Sequence, residues 1–145
     1  METISLKKAS LKDLEIIADI EKNASSKTYA AIIGKEELEK FLQNDQVFLI
    51  KNEESIIGLA SFETNQNTAH CTGLAIYPEF REKGFGNKAM RLLLKKMEKY
   101  QRVELVVHPH NNSAIKLYLS LGFIIESWEN NYFGNGEPRL VMIKK

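Results

Sequence analysis

The stretch "REKGFGNKAMRLLL", residues 81–94, constrains the chain more than any other. It places a basic residue and two glycines, spaced by one residue, directly before a helical repeat. Met90, Leu93, Leu94 and Met97 recur at i, i+3, i+4 and i+7, the apolar stripe of a helix. Gly84 and Gly86 lack a Cβ, so the backbone can take positive φ or approach a ligand closely. A helix N-terminus offers unpaired N–H groups and about half a positive charge, which attract phosphate. On this stretch alone, an anion cradle and a plain strand-to-helix turn both stand. Rossmann and Walker loops fit badly, since no third glycine holds the GxGxxG spacing and no GxxxxGK(S/T) occurs. Lys88, Arg91, Lys95, Lys96 and Lys99 follow, fitting either a solvated face or a polyphosphate neighbour.

The segments around this helix set the fold class. "TISLK" (3–7) alternates like a strand, and Ser10 with Asp13 three residues on starts a helix bearing Leu11, Leu14, Ile17 and Ala18 on one face. Residues 35–43 read as a second short helix, reached through 25–34, whose state the pattern leaves open. "QVFLIK" (46–51), "SIIGLASFE" (55–63), "TAHCTGLAIY" (68–77) and "RVELVV" (102–107) read as strands. Ala114, Leu117, Tyr118 and Leu121 repeat the helical spacing, and Gly122 closes that helix. The tail reads as two strands around Asn135-Gly136, a favoured hairpin turn. The expected order is β-α-α-β-β-β-α-β-α-β-β, one α/β domain over residues 1–145 with a mixed, mostly antiparallel sheet flanked by helices.

Composition narrows the setting. A chain of 145 residues can bury roughly two-thirds of its unfolded surface. A net charge of +1 gives no global drive toward nucleic acid or anionic lipid. No run approaches the roughly 20 apolar residues of a membrane span, and the first residues lack a secretory hydrophobic stretch. The single cysteine, Cys71, forms no internal disulfide and no thiolate zinc site. The expectation is a cytoplasmic domain without nucleic acid or membrane partners.

A second cluster raises the specificity. In "NNSAIKLYLSLGF" (111–123), Asn111, Ala114, Tyr118, Gly122 and Phe123 stand at offsets 0, 3, 7, 11 and 12. Here the chain resembles the GNAT N-acetyltransferase superfamily. Arg81, Gly84 and Gly86 match that family's acetyl-CoA cradle, Gln/Arg-x-x-Gly-x-Gly/Ala, and Asn111 through Phe123 match NxxAxxLYxxxGF. The passage "LAIYPEFREKGFG" is similar to the family's strand-to-cradle connection. The resemblance implies a cofactor site of Leu74, Ala75 and Ile76 on a splayed strand, Arg81, Glu82, Lys83, Gly84, Phe85, Gly86 and Asn87 in the cradle, and Asn111 and Ala114 beyond. Glu82 departs from the pattern, standing where many members carry glycine. An affinity adjustment is expected there, because a carboxylate near pyrophosphate is mildly repulsive.

The resemblance also implies chemistry: acetyl transfer from acetyl-CoA to a primary amine by direct attack in a ternary complex. An amine of pKa ~10.4 must lose a proton, costing about 4 kcal/mol near neutral pH. The family's tyrosine at the Tyr118 position looks like the general acid, although Tyr118 also shares a core face with Ala114 and Leu117. Asn111 or Asn112 caps the following helix. Some members carry a carboxylate base where His70 stands, and imidazole, with an unperturbed pKa of about 6.5, suits that role. A structural His70 is equally compatible, and Glu63, Glu104 or a water chain are other bases. His70 and Cys71 alternate onto opposite strand faces, against a Cys-His nucleophile pair. His108, His110 and Cys71 lack metal-ligand spacing, so no metal is expected.

Residues 35–63 carry seven acids against three bases, and 81–102 carry eight bases against two acids. That asymmetry suits a cationic amine on one side and CoA phosphates on the other. The acceptor loops are expected at 24–34 and 128–138, and the resemblance leaves room for a homodimer. The rival readings are a non-catalytic acyl-CoA sensor of the same fold and a nucleotide-binding regulatory domain.

Overall fold

The computed structural model describes residues 3–24, 31–32 and 34–145. Its elements are β1 (Ile4–Lys8), α1 (Leu14–Ala24), α2 (Lys35–Asn44), β2 (Gln46–Asn52), β3 (Ser55–Asn65) and β4 (Thr68–Ile76). Then come α3 (Phe85–Lys96), β5 (Arg102–Val107), α4 (Asn112–Ser120), β6 (Ile124–Glu129) and β7 (Arg139–Lys144). This is the order expected from the sequence. The strands form one sheet, β1-β2-β3-β4-β5-β7-β6, antiparallel throughout except for the parallel pair β4–β5.

Two apolar cores flank the sheet. On one face, α3 and α4 bury Phe85, Met90, Leu93, Met97, Tyr118 and Leu121 against Ile57, Cys71 and Leu105. On the other, α1 and α2 bury Ile17, Ile20, Leu38 and Phe41 against Val47, Leu49 and Leu59. Leu93 has no exposed surface, so its truncation to alanine would cost about 2–5 kcal/mol. Gly58 has no substitute: an added Cβ would lie 2.2 Å from the Ala75 carbonyl oxygen. Its bare Cα therefore sets how closely β3 lies on β4.

Three local expectations need correction. Ser10 and Asp13 pair as expected, Ser10 N–H donating to Asp13 Oδ2 at 2.9 Å, but they hold a 3₁₀ turn ahead of α1. Leu11 is consequently exposed, and Ile17, Ile20, Glu21 and Ala24 form the buried face of α1. Asn135-Gly136 does not make a two-residue hairpin, because the last pair is Glu129 with Arg139 and the connection spans 130–138. Asn131, Gly134 and Gly136 all take positive φ within it, and the Asn131 side chain accepts from the Gly136 amide. Of the segment between α1 and α2, residues 25–30 and 33 lie outside the described residues.

The feature that positions the site is a bulge in β4. Ser61 pairs with Gly73 and Phe62 with Cys71, so Thr72 is an extra residue. A one-residue insertion exchanges the two faces of a strand. Ahead of it, Ala69 and Cys71 pack toward α3 and α4; beyond it, Leu74 and Ile76 point that way and Ala75 points toward α1 and α2. Pairing with β5 also stops here, at Cys71–Leu105. Beyond that point the two parallel strands part.

Candidate active site

The glycine segment forms an open cradle of backbone donors. Gly84 has φ +81° and N-caps α3; Glu82 has φ +61°, a left-handed conformation that glycine favours. Among the described residues, no backbone amide from Glu82 through Asn87 donates to any other group; the first to do so is Lys88, to the Gly84 carbonyl at 3.2 Å. Nothing lies within 4 Å of where a Gly84 Cβ would stand, so the cradle faces open space. Around Gly86 three elements converge: a Cβ there would lie 3.6 Å from Ile76 Cδ1 and 3.7 Å from Leu117 Cδ2. Consecutive free amides at a helix N-terminus suit a phosphate chain.

The basic residues contribute less than their number suggests. Arg81 folds back, its Nε donating to the Ile76 carbonyl at 2.8 Å, so it braces the end of β4. Arg91 donates to Asn87 Oδ1 at 2.8 Å, and the Lys96 ammonium lies 4.8 Å from the Phe48 ring centroid. The latter half of α3 runs away from the cradle, so Lys95, Lys96 and Lys99 do not gather there.

The splay between β4 and β5 continues the cradle inward. Tyr77 N–H bonds to the Ile57 carbonyl in β3 at 2.9 Å. With the two-residue period of a strand, Ala75 also faces β3, whereas the amides of Leu74 and Ile76 face the gap. Tyr118 reaches this region from α4. It is buried, packs edge-on to Phe123 at 5.7 Å, and its hydroxyl has no hydrogen-bond partner among the described residues. Burial pushes its phenol above the usual range, and the neighbouring Cys71 thiol adds to the shift. Asn111 caps α4, its Oδ1 accepting from Ala114 N–H at 3.3 Å, which assigns the cap to Asn111 and not Asn112.

The opposite face of the sheet carries a row of ionisable groups. Glu63, His70 and Glu104 stand abreast on β3, β4 and β5. His70 Nδ1 lies 3.2 Å from Glu104 Oε1, while Arg102 Nε donates to the second oxygen of Glu104 at 3.0 Å. Arg102 also grips both oxygens of Glu126, at 3.0 and 2.6 Å, and thereby lowers the Glu126 carboxyl. Cys71 lies on the other face, as alternation requires, and burial pushes its thiol up to about 12, which leaves it protonated and unreactive. The 130–138 connection leans over this row: Tyr132 is shifted upward by burial first, then by Glu104, Glu129 and Glu63.

His108 anchors that connection. It is 3% exposed, and its Nδ1 accepts from His110 N–H at 3.0 Å. An amide can only donate, so Nε2 carries the ring proton and donates to Glu137 Oε1 at 3.0 Å. Among the described residues no group of three or more His, Cys, Asp or Glu is placed to hold a metal ion. No described helix is long and apolar enough to cross a membrane.

Sequence reasoning did not find the Arg102–Glu126 grip, the brace from Arg81, or a buried set formed by Asp45, Ser61 and Thr72. The sequence signal for each is a polar residue inside an apolar strand or at a helix end, which names no partner.

Free amides at the start of α3, a splayed parallel pair and the Tyr118 phenol without a hydrogen-bond partner among the described residues are the features of this end of the sheet. The profile of the acetyltransferase (GNAT) family matches residues 14–123, and the chain belongs to that family as an N-acetyltransferase. It is 25% identical over 152 aligned positions to the spermidine N(1)-acetyltransferase of Thermoplasma acidophilum, covering 90% of this chain and 94% of that one. It is 36% identical over 78 positions to the N-terminal acetyltransferase B complex catalytic subunit NAA20 of Arabidopsis thaliana, where the match covers 52% of this chain and 45% of that protein. The ribosomal-protein-S18-alanine N-acetyltransferase of Escherichia coli shares the fold, with a TM-score of 0.81 at 23% identity over 99% of this chain and 92% of that one.

Proposed function

We propose that the chain transfers the acetyl group of acetyl-CoA to a primary amine of a small molecule or protein, with the cofactor entering along the cradle and the splay. The observation that carries this reading is the run of free amides at 82–87 together with the gap-facing amides of Leu74 and Ile76, with Gly86 close to Ile76 and Tyr118 neighbouring Cys71 at the last β4–β5 pair. The residues fit the group: the cradle has space that any side chain at Gly84 would fill. Bound there, acetyl-CoA would supply an activated acyl carbon and a thiolate leaving group.

His70 takes the amine's proton. With its Nδ1 proton donated to Glu104, the Nε2 lone pair is free to accept, and Arg102 holds the same carboxylate in place. Tyr118 stays protonated and donates toward the sulfur in this reading. Its phenol lies above an alkyl thiol, at ~8.5, so its contribution is a hydrogen bond to the developing thiolate and full proton transfer would be uphill. The gap-facing amides of Leu74 and Ile76 are oriented to polarise an acyl carbonyl. The Asn111 carboxamide NH₂ has no partner among the described residues, and in this reading it and Ala114 contact the cofactor from α4.

The acceptor binds on the carboxylate face, under 128–138; most of the other expected acceptor loop, 24–34, lies outside the described residues. The match to a spermidine acetyltransferase along most of the chain supports a small polycationic amine; the shorter match to an N-terminal acetyltransferase supports a peptide α-amine. A CoA-release assay across polyamines, amino acids, aminoglycosides and N-terminal peptides tests the reading and separates these acceptors. Tight acetyl-CoA binding without turnover on any amine would favour a non-catalytic acyl-CoA sensor. The net charge of +1 and the single buried cysteine support a cytoplasmic setting without nucleic acid or membrane partners. A homodimer is a further expectation, checked by light scattering.

A further inference from the structure

Thr72, the extra residue of the β4 bulge, is held from two sides. Its hydroxyl donates to Asp45 Oδ2 at 2.6 Å and lies 2.8 Å from Ser61 Oγ. A hydroxyl has one proton, and Thr72 gives its own to the carboxylate, so Ser61 donates to Thr72. The chain Ser61 to Thr72 to Asp45 therefore runs in one direction and ends on a charge. Ser61 has no exposed surface and Asp45 is 8% exposed, so water competes little for these bonds. Asp45 directly follows α2, which ties the end of that helix to the bulge.

The bulge has a competitor. β5 continues through Val106 and Val107 past its last pairing with β4, at Leu105. Without the extra residue, β4 could continue its ladder onto those two positions and close the gap. The same change would turn the faces of Leu74, Ala75 and Ile76, since one residue of slip exchanges them.

We propose that Asp45, Ser61 and Thr72 are positioning residues for acetyl-CoA: their hydrogen-bonded chain holds the bulge, keeps β4 off β5, and aims the Leu74 and Ile76 amides into the gap. This rests on the cradle and splay being the acetyl-CoA site, and the experiment separates the two ideas. Thr72→Val keeps the β-branched shape and removes only the hydroxyl. Calorimetry with acetyl-CoA, well below the variant's Tm, should show Kd raised about tenfold, as expected for loss of a charge-assisted hydrogen bond. KM for acetyl-CoA should rise with it, while KM for the amine changes less than about twofold. Thr72→Ser keeps the hydroxyl and should restore binding to within about twofold of the parent. Gly84→Asp is the control for the site itself. If Gly84→Asp abolishes binding and folded Thr72→Val binds normally, the positioning role is overturned and the cradle stands. If neither variant changes binding, the site reading falls first. Should Thr72→Val fail to fold, Ser61→Ala removes only the outer donor; it should raise Kd by about threefold, and unchanged affinity there would overturn the proposal.

Discussion

The two faces of the sheet offer different materials to the proposed site. On the α3–α4 side, the groups offered to a ligand are backbone amides: those of 82–87, free because a helix begins there, and those of Leu74 and Ile76, free because β4 has left β5. On the α1–α2 side, the groups are side chains linked along and across strands, His70 to Glu104 from β4 to β5, Glu104 to Arg102 within β5 and Arg102 to Glu126 from β5 to β6. A backbone site depends on what a residue lacks, such as a Cβ or a partner, and tolerates varied side chains around it. A side-chain site depends on identity at each position and can be changed piece by piece. The cofactor half should therefore fail abruptly under substitution and the acceptor half by degrees.

The largest break in that contrast should come at Gly84. An aspartate there meets no protein atom, so the fold should survive with about 1–2 kcal/mol of strain from φ +81°. Its carboxylate would occupy the space left for phosphate. Gly84→Asp should abolish acetyl-CoA binding in calorimetry while circular dichroism stays that of the parent; retained affinity would refute a backbone cradle. Tyr118→Phe comes next. It keeps the edge-on packing with Phe123 and removes a hydroxyl that has no partner among the described residues. A fall in kcat of roughly 10- to 1,000-fold is expected with acetyl-CoA affinity unchanged. Parental turnover, with chemistry rate-limiting, would make the hydroxyl dispensable.

His70→Gln tests the acceptor half. If His70 is the base, kcat/KM should lose its acidic limb and the plateau should fall by about 10²-fold. Glu104→Gln should act in the same direction but less, because it weakens the hold on Nδ1 and leaves Nε2 in place. A purely structural His70 would lower Tm and leave the pH profile intact. That outcome would pass the role to Glu63, Glu104 or water.

The same contrast explains what the sequence discloses. Residues Arg81 to Gly86 and Asn111 to Phe123 are contiguous, so their spacing carries the family resemblance, although it leaves the α4 cap open between Asn111 and Asn112, which the structure gives to Asn111. The order of the elements is equally local, since each apolar period is complete within its own segment. The side-chain half links positions far apart: Asp45 with Thr72 across 27 residues, His70 with Glu104 across 34, Arg102 with Glu126 across 24. No local pattern pairs them. The bulge at Thr72 is hidden for a related reason. Residues 68–76 alternate in burial without a break, yet Cys71 and Ala75 enter opposite cores, because the faces exchange between them. Only the register with β3 reveals it.

Cys71 provides a pH test on the cofactor side. Its folded pKa is raised from an ordinary value near 9 to about 12, so the folded state keeps a proton that the unfolded chain releases. The stability this confers is fully present below pH 9 and is lost as pH rises toward 12. Chemical denaturation midpoints should decline over that window, and Cys71→Ala should make the decline shallower. An unchanged slope would mean the thiol titrates normally. Turnover at neutral pH should be nearly unaffected, since the thiol is no nucleophile.

The smallest effect is expected at Glu82, where the two halves of the contrast meet in one residue: a side chain with charge standing in a backbone cradle. Its φ of +61° costs an L-residue about 1–2 kcal/mol, which glycine would relieve. Against that, glycine gives the unfolded chain more freedom, worth about 0.5–1 kcal/mol. The two nearly cancel, so Glu82→Gly should move Tm by no more than a few degrees, upward. Affinity separates the contributions further. Removing a carboxylate beside phosphates should tighten acetyl-CoA binding by about threefold at low ionic strength, and the gain should shrink as salt shortens the Debye length from about 10 Å toward 3 Å. Glu82→Gln removes the charge and keeps the backbone strain, so it should reproduce the salt-dependent gain without the change in Tm. If Glu82→Gln binds no more tightly than the parent at low salt, the carboxylate points away from the phosphates and the cradle is read by its backbone alone.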